Sequence, residues 1–159
     1  MIARLVRSAD FERVLRTRTR ANSVHFAVHH VPDRPNQATK ASKAPTGELS
    51  TDTRAAQPLP VDDSGVDALV HGSGALWLGA VVPKRHARRS VTRTLLKRQI
   101  RAVVAGHAAS LAGGLWVVRL RAPFDRALFV SAASSALRCL ARTELGLLML
   151  AASQRGTGR

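Results

Sequence analysis

Ten cationic residues share one stretch of this sequence, and no acidic residue lies among them: Lys84, Arg85, Arg88, Arg89, Arg93, Lys97, Arg98, Arg101, Arg119 and Arg121 all fall between Asp67 and Asp125. The chemistry open to such a stretch is the binding of phosphates. Arginine can fork two oxygens of one phosphate or lie flat on a base, and lysine offers a compact point charge. A merely solvated surface intersperses both signs, whereas a long run of one sign reads as a nucleic-acid footprint.

The second half of the run fits a helix. Leu96, Ile100, Val103, Val104 and His107 recur at helical spacing and form one face. Arg93, Lys97 and Arg101 form a neighbouring stripe, which Thr94 and Arg98 broaden. Like charges at this spacing cost an isolated helix about 0.2–0.5 kcal/mol per pair. A solvated helix face would carry Glu or Asp partners to offset that cost, and this one has none. Lys84, Arg85, Arg88 and Arg89 precede it in a loop and can reach phosphates that the helix stripe cannot.

Other chemistries find little support. The six histidines, His25, His29, His30, His71, His86 and His107, do not combine with Cys139 or carboxylates at a metal-ligand spacing. The Gly72-Ser73-Gly74 and Gly113-Gly114 segments read as turns, since neither ends in the Gly-Lys-Ser/Thr of a phosphate loop. No nucleophile elbow is present, and carboxylates are sparse outside residues 33–74, so neither catalytic residues nor a metal site are expected in this chain.

The whole chain repeats the bias. Its 159 residues give one domain, and 25 Lys+Arg against 10 Asp+Glu leave a net charge of +15. Counterion release from a polyanion would drive much of any binding. A single cysteine, Cys139, permits no internal disulfide and sits in an apolar segment, where a buried small side chain is expected. No signal peptide or membrane span is read, so a cytoplasmic protein is expected.

The elements that position the cations follow from periodicity. Residues 8–15 read as a short helix with Ser8 as its N-cap and Phe11, Val14 and Leu15 on one face. Residues 23–31 alternate as a strand, with Val24, Phe26 and Val28 on one side and His25 and His29 on the other. Residues 33–74 are rich in Pro, Ser, Thr, Asp, Gln and Ala and hold Glu48, Asp52, Asp62, Asp63 and Asp67, so they read as a disordered insertion. Residues 75–82 are apolar on both faces, which suits a central strand. Then follow the basic loop, a helix over 91–109, a strand over 115–120 and a last helix over 125–145 whose apolar face includes Ala127, Leu128, Val130, Ala133, Leu137 and Leu140. The result is a single domain over 1–152, interrupted by the insertion and followed by a frayed tail over 153–159. Its class is an α/β (α+β) two-layer sandwich, one small mixed sheet with helices packed on it.

Two segments carry a resemblance. Val82-Pro83-Lys84-Arg85 followed by Ser90-Val91-Thr92-Arg93-Thr94-Leu95-Leu96-Lys97-Arg98-Gln99-Ile100-Arg101 resembles the strand, basic pair and Arg-Asn-Arg helix of the bacterial ribonuclease P protein family. Arg4 to Val14 resembles that family's opening helix. The triplet departs from the pattern, since it reads Arg93-Thr94-Leu95 here, and the loop before it carries the additional Arg88 and Arg89. The resemblance implies the fold that this family shares with ribosomal protein S5 domain 2. It also implies an accessory subunit of an endoribonuclease, with Mg²⁺ held mainly by a catalytic RNA. That RNA and precursor tRNA would be the partners, with one protein per RNA. Lys84, Arg85, Arg88, Arg89, Arg93, Lys97, Arg98 and Arg101 would dock on the RNA. Phe11, Phe26 and Trp77 would line a cleft for the single-stranded 5′ leader. Charge and size alone also suit a structural RNA-binding protein such as a ribosomal protein. A stand-alone metal-dependent nuclease would need clustered acidic ligands.

Overall fold

In the computed structural model, residues 1–36 and 75–155 are described. The chain runs β1 (Ile2–Arg4), α1 (Ser8–Leu15), β2 (Ala21–Asn22), β3 (Phe26–Val31), β4 (Leu76–Val81), α2 (Ser90–His107), β5 (Gly114–Leu120) and α3 (Ser135–Gln154), with a 3-10 turn at Ala108–Ser110. The strands form one mixed sheet in the order β1-β4-β5-β3-β2. β4 is parallel to both β1 and β5, and β3 is antiparallel to both β5 and β2. The expected α+β class and the central place of the apolar strand at 76–81 are both met.

Strand alternation divides the sheet into two faces. Phe26, Val28, Leu76, Leu78, Trp116, Val118 and Leu120 point to one face, where Leu96, Ile100 and Val104 of α2 and Leu137, Ala141, Leu145, Met149 and Ala152 of α3 close over them. Trp77, Leu115 and Val117 point to the other, under Val14 and the half-buried Phe11 of α1. The helical layer of the sandwich is therefore α2 and α3, with the short α1 laid on the second face.

Gly114, at φ 120°, opens β5 where a side chain would press on the Val31 carbonyl and Pro32. At Gly79, a Cβ would overlap the ring of Phe11. The missing side chain lets the aromatic ring lie directly on β4.

Several expectations are corrected. The last helix begins at Ser135 and ends at Gln154, not at 125 and 145. Asp125 Oδ1 accepts the Ala127 N–H at 2.8 Å, which favours a turn over a helix. Arg89 holds the Val130 carbonyl at 2.8 Å and Thr92 holds that of Ala132 at 2.8 Å, so neither oxygen serves a helix. Ser134 then caps α3 by accepting the Leu137 N–H at 3.1 Å. Leu128 and Val130 are consequently exposed rather than on a buried face. Cys139 is exposed, because Leu137, Ala141 and Leu145 point inward and a residue two positions past Leu137 points away.

α1 is not capped by Ser8. Arg7 occupies the cap position without a side-chain bond, and Ser8 is the first helical residue. Arg4 lies in a strand instead of the opening helix. Residues 153 and 154 belong to α3, not to a frayed tail. Most of the insertion read at 33–74 lies outside the described residues, as do residues 156–159.

Candidate nucleic-acid interface

The basic loop leaves β4 at Val81 and turns tightly, with the N–H groups of His86 and Ala87 both bonded to the Pro83 carbonyl at 3.1 Å. Ala87 is buried as the anchor of the turn, which leaves Lys84, Arg85, Arg88 and Arg89 outward. The helix follows at once. Leu95, Leu96, Ile100, Val103 and Val104 are buried on its inner side, so Lys97, Arg98 and Arg101 are exposed on the opposite flank. All eight cations singled out in the sequence thus lie on one continuous loop and helix.

They do not play one role. Arg93 is half-buried, and its Nη1 donates to the carbonyls of Ala87 at 3.1 Å and Arg88 at 2.7 Å. It straps the loop to the first turn of α2. Arg89 is likewise engaged with Val130. Lys84, Arg88, Lys97, Arg98 and Arg101 make no such side-chain bond among the described residues. The ion pairs there join Arg13 to Asp10 and Asp33, and His25 to Glu144, so none of the described carboxylates pairs with the ridge. Partial desolvation, then the charges of Arg85 and Arg119, hold the His86 imidazole below its usual pKa.

The ridge has neighbours that the sequence did not reveal. Arg4 on the edge strand β1 shares a 540 Å³ hollow with Arg101, Leu78 and Ala105, which extends the cationic surface beyond α2. A three-residue strand gives no alternation to read, so its proximity to α2 had no signal. Beside the loop, Arg88, Arg126, Phe124 and Phe129 line a second hollow of 340 Å³. Among the described residues, no group of three or more His, Cys, Asp or Glu is placed to hold a metal ion, and no helix is long and apolar enough to cross a membrane.

The aromatic residues separate. Phe11 and Trp77 share the α1 face of the sheet, with Gly79 beneath the Phe11 ring. Phe26 is fully buried on the opposite face, 5.9 Å from the ring of Phe124, and cannot line a cleft with them. Arg119 alternates onto the α1 face and pairs in register with Ala27 and Val81. It adds a cation beside that surface.

Residues 2–144 match the model of a family described as Ribonuclease P. A ribonuclease P protein component from Burkholderia pseudomallei is 40% identical over 72 residues, covering 45% of this chain and 53% of that protein. One from Paraburkholderia xenovorans is 35% identical over 82 residues, covering 52% of this chain and 59% of that protein. The chain thus spans little more than half the length of these curated relatives. Among solved structures, the RNase P protein from Staphylococcus aureus superposes with a TM-score of 0.51 at 15% identity, covering 95% of this chain and 89% of that one, which speaks to fold.

Proposed function

The chain belongs to the ribonuclease P protein family, and from that premise we propose that it is the accessory protein subunit of bacterial ribonuclease P. It binds the catalytic RNA in the cytoplasm, one protein per RNA, and assists endonucleolytic removal of the 5′ leader from precursor tRNA. The observation that carries this reading is the ridge of Lys84, Arg88, Lys97, Arg98 and Arg101, unpaired with any described carboxylate, on a loop and helix whose other side is buried in the core.

Each part of the site has a physical task. Core packing fixes α2, so its cations meet phosphates without paying for the ordering of a loose segment. Arg93 contributes by holding the loop at its two carbonyls, which sets where Arg88 points. Phe11, supported by Gly79, offers an aromatic surface on the α1 face for an unpaired base of the leader, with Arg119 near for its phosphate. Trp77 backs that surface from within the small core. Mg²⁺ bound by the RNA would supply the activated water and stabilise the leaving oxygen. This chain's residues bind and orient.

The test is reconstitution. The protein is mixed with a bacterial ribonuclease P RNA and a precursor tRNA at low Mg²⁺, and leader release is timed. A clear rise in cleavage rate over RNA alone is expected. An unchanged rate, with the protein folded, contradicts the reading.

A further inference from the structure

A second group of cations lies at the other end of the sheet. Arg18, Thr19, Arg20, His30 and Arg155 surround a 430 Å³ hollow between the segment leading into β2, the end of β3 and the end of α3. Gly113, just before β5, bonds His30 at this end, whereas the basic loop follows Val81, which pairs with Arg119 near the far end of β5. At about 3.3 Å per residue, the strand separates the two places by about 20 Å. No single phosphate can serve both.

The hollow is built around a fixed guanidinium. Arg20 Nε donates to the Ala152 carbonyl at 2.7 Å, its Nη1 donates to His30 Nδ1 at 2.9 Å, and its carbon lies 5.2 Å from the centre of the Trp116 ring. His30 Nε2 faces the Gly113 carbonyl at 3.1 Å, so the ring donates there and accepts from Arg20. That pattern requires a neutral imidazole. Desolvation, opposed by the Gly113 bond and aided by the Arg20 charge, keeps its pKa below the usual value.

Arg155 Nη1 donates to the Arg20 carbonyl at 2.8 Å, which brings a second guanidinium to the rim, and exposed Arg18 is the third. Among the described residues none of the three is ion-paired with a carboxylate. Clustered cations repel, and desolvation already weighs on Arg20. An oxyanion in the hollow relieves both costs, and guanidinium groups match its geometry.

We propose that Arg18, Arg20 and Arg155 form a second phosphate-binding site, taking a backbone phosphodiester of RNA about 20 Å from the basic loop that opens the cationic ridge. The site gives the protein two separated grips on one RNA, which fixes orientation as a single ridge cannot. The choice of RNA as source of the phosphate rests on the function proposed above. The alternative source is free phosphate.

The test uses Arg18→Ala with Arg155→Ala, which leaves the Arg20 clamp intact. Arg138→Ala with Arg142→Ala, exposed on α3, removes the same charge elsewhere. Affinity for a bacterial ribonuclease P RNA is measured across a KCl series. The pocket pair is expected to reduce the slope of log affinity against log salt by about one to two units, and the control pair by clearly less. Equal slopes for the two pairs overturn the proposal. If the pocket pair does not fold, Arg18→Ala alone is compared with Arg138→Ala by the same criterion.

Inorganic phosphate supplies the second arm. Stabilisation by phosphate over chloride that disappears in the pocket pair, with the RNA slope untouched, assigns the hollow to free phosphate and overturns the RNA site. A pair of ridge substitutions, Lys97→Ala with Arg98→Ala, separates the two readings. Should the ridge pair leave RNA affinity unchanged while the pocket pair lowers it, the docking role of the ridge fails and the pocket stands.

Discussion

The two faces of the sheet are built to different standards. On one, α2 and α3 close a continuous core from Ala21 to Ala152 around Trp116 and Phe26. On the other, an eight-residue helix covers a small cluster of Leu5, Val14, Trp77, Leu115 and Val117, with Phe11 half-buried over it. The larger core lies on the first face, and the second leaves an aromatic ring and Arg119 half-buried. The cationic ridge belongs to the first face as well, where its carrier helix is held by the larger core. Under the proposed function, a firmly packed docking element and a lightly covered contact surface would lie on opposite sides of one sheet.

The largest expected effect tests the strong face. Ile100→Ala removes a fully buried side chain beneath the ridge and should cost about 2–5 kcal/mol in denaturant unfolding. A loss below 1 kcal/mol, well short of the range for such truncations, would show that this core is not what holds α2. A smaller effect is expected on the weak face. Gly79→Ala places a methyl group against the Phe11 ring and should cost about 1–3 kcal/mol by overpacking. With α2 undisturbed, affinity for the catalytic RNA should persist while affinity for a leader-bearing precursor tRNA falls. Equal loss of both would erase the distinction between the faces.

The smallest effect is on pH dependence and concerns the seam between β3 and α3. Partial burial acts to raise the Glu144 pKa, but bonds from Ser23, the His25 N–H and the His25 ring, with the charge of that ring, outweigh it and leave the carboxyl below its ordinary value of 4.5. Its stabilising contribution is complete above that pH and is lost as pH falls through the lowered value. His30, lowered from 6.5, adds an earlier loss as pH falls below that point, because the unfolded chain takes up the proton first. Thermal unfolding midpoints should therefore decline in two stages on acidification. Glu144→Gln should flatten the later stage alone, and an unaltered later stage would remove Glu144 from the account.

How much of this was legible depended on the range of the interaction. The basic loop and α2 could be read because an 18-residue helix repeats its pattern several times. β4 was legible from an unbroken apolar run. β1 and β2 were not, because strands of three and two residues exist only through their neighbours' backbone bonds. The start of α3 was misread because Ala127, Leu128 and Val130 have helical spacing, while Thr92 and Arg89, some 40 residues away, take the carbonyls a helix would need. The same holds for the site. Cation clustering along the chain was visible, but that Arg93 is a strap, that Arg4 joins Arg101, and that Phe26 faces away from Phe11 are all consequences of tertiary packing.

The central claim is that the exposed side of α2 grips RNA phosphates. Arg98→Ala with Arg101→Ala tests it most directly, since both side chains are exposed and their loss spares the core. Binding to a bacterial ribonuclease P RNA over a range of KCl should weaken, with the salt slope smaller by about two units and the unfolding midpoint unchanged. A slope equal to that of the unaltered protein would contradict the claim.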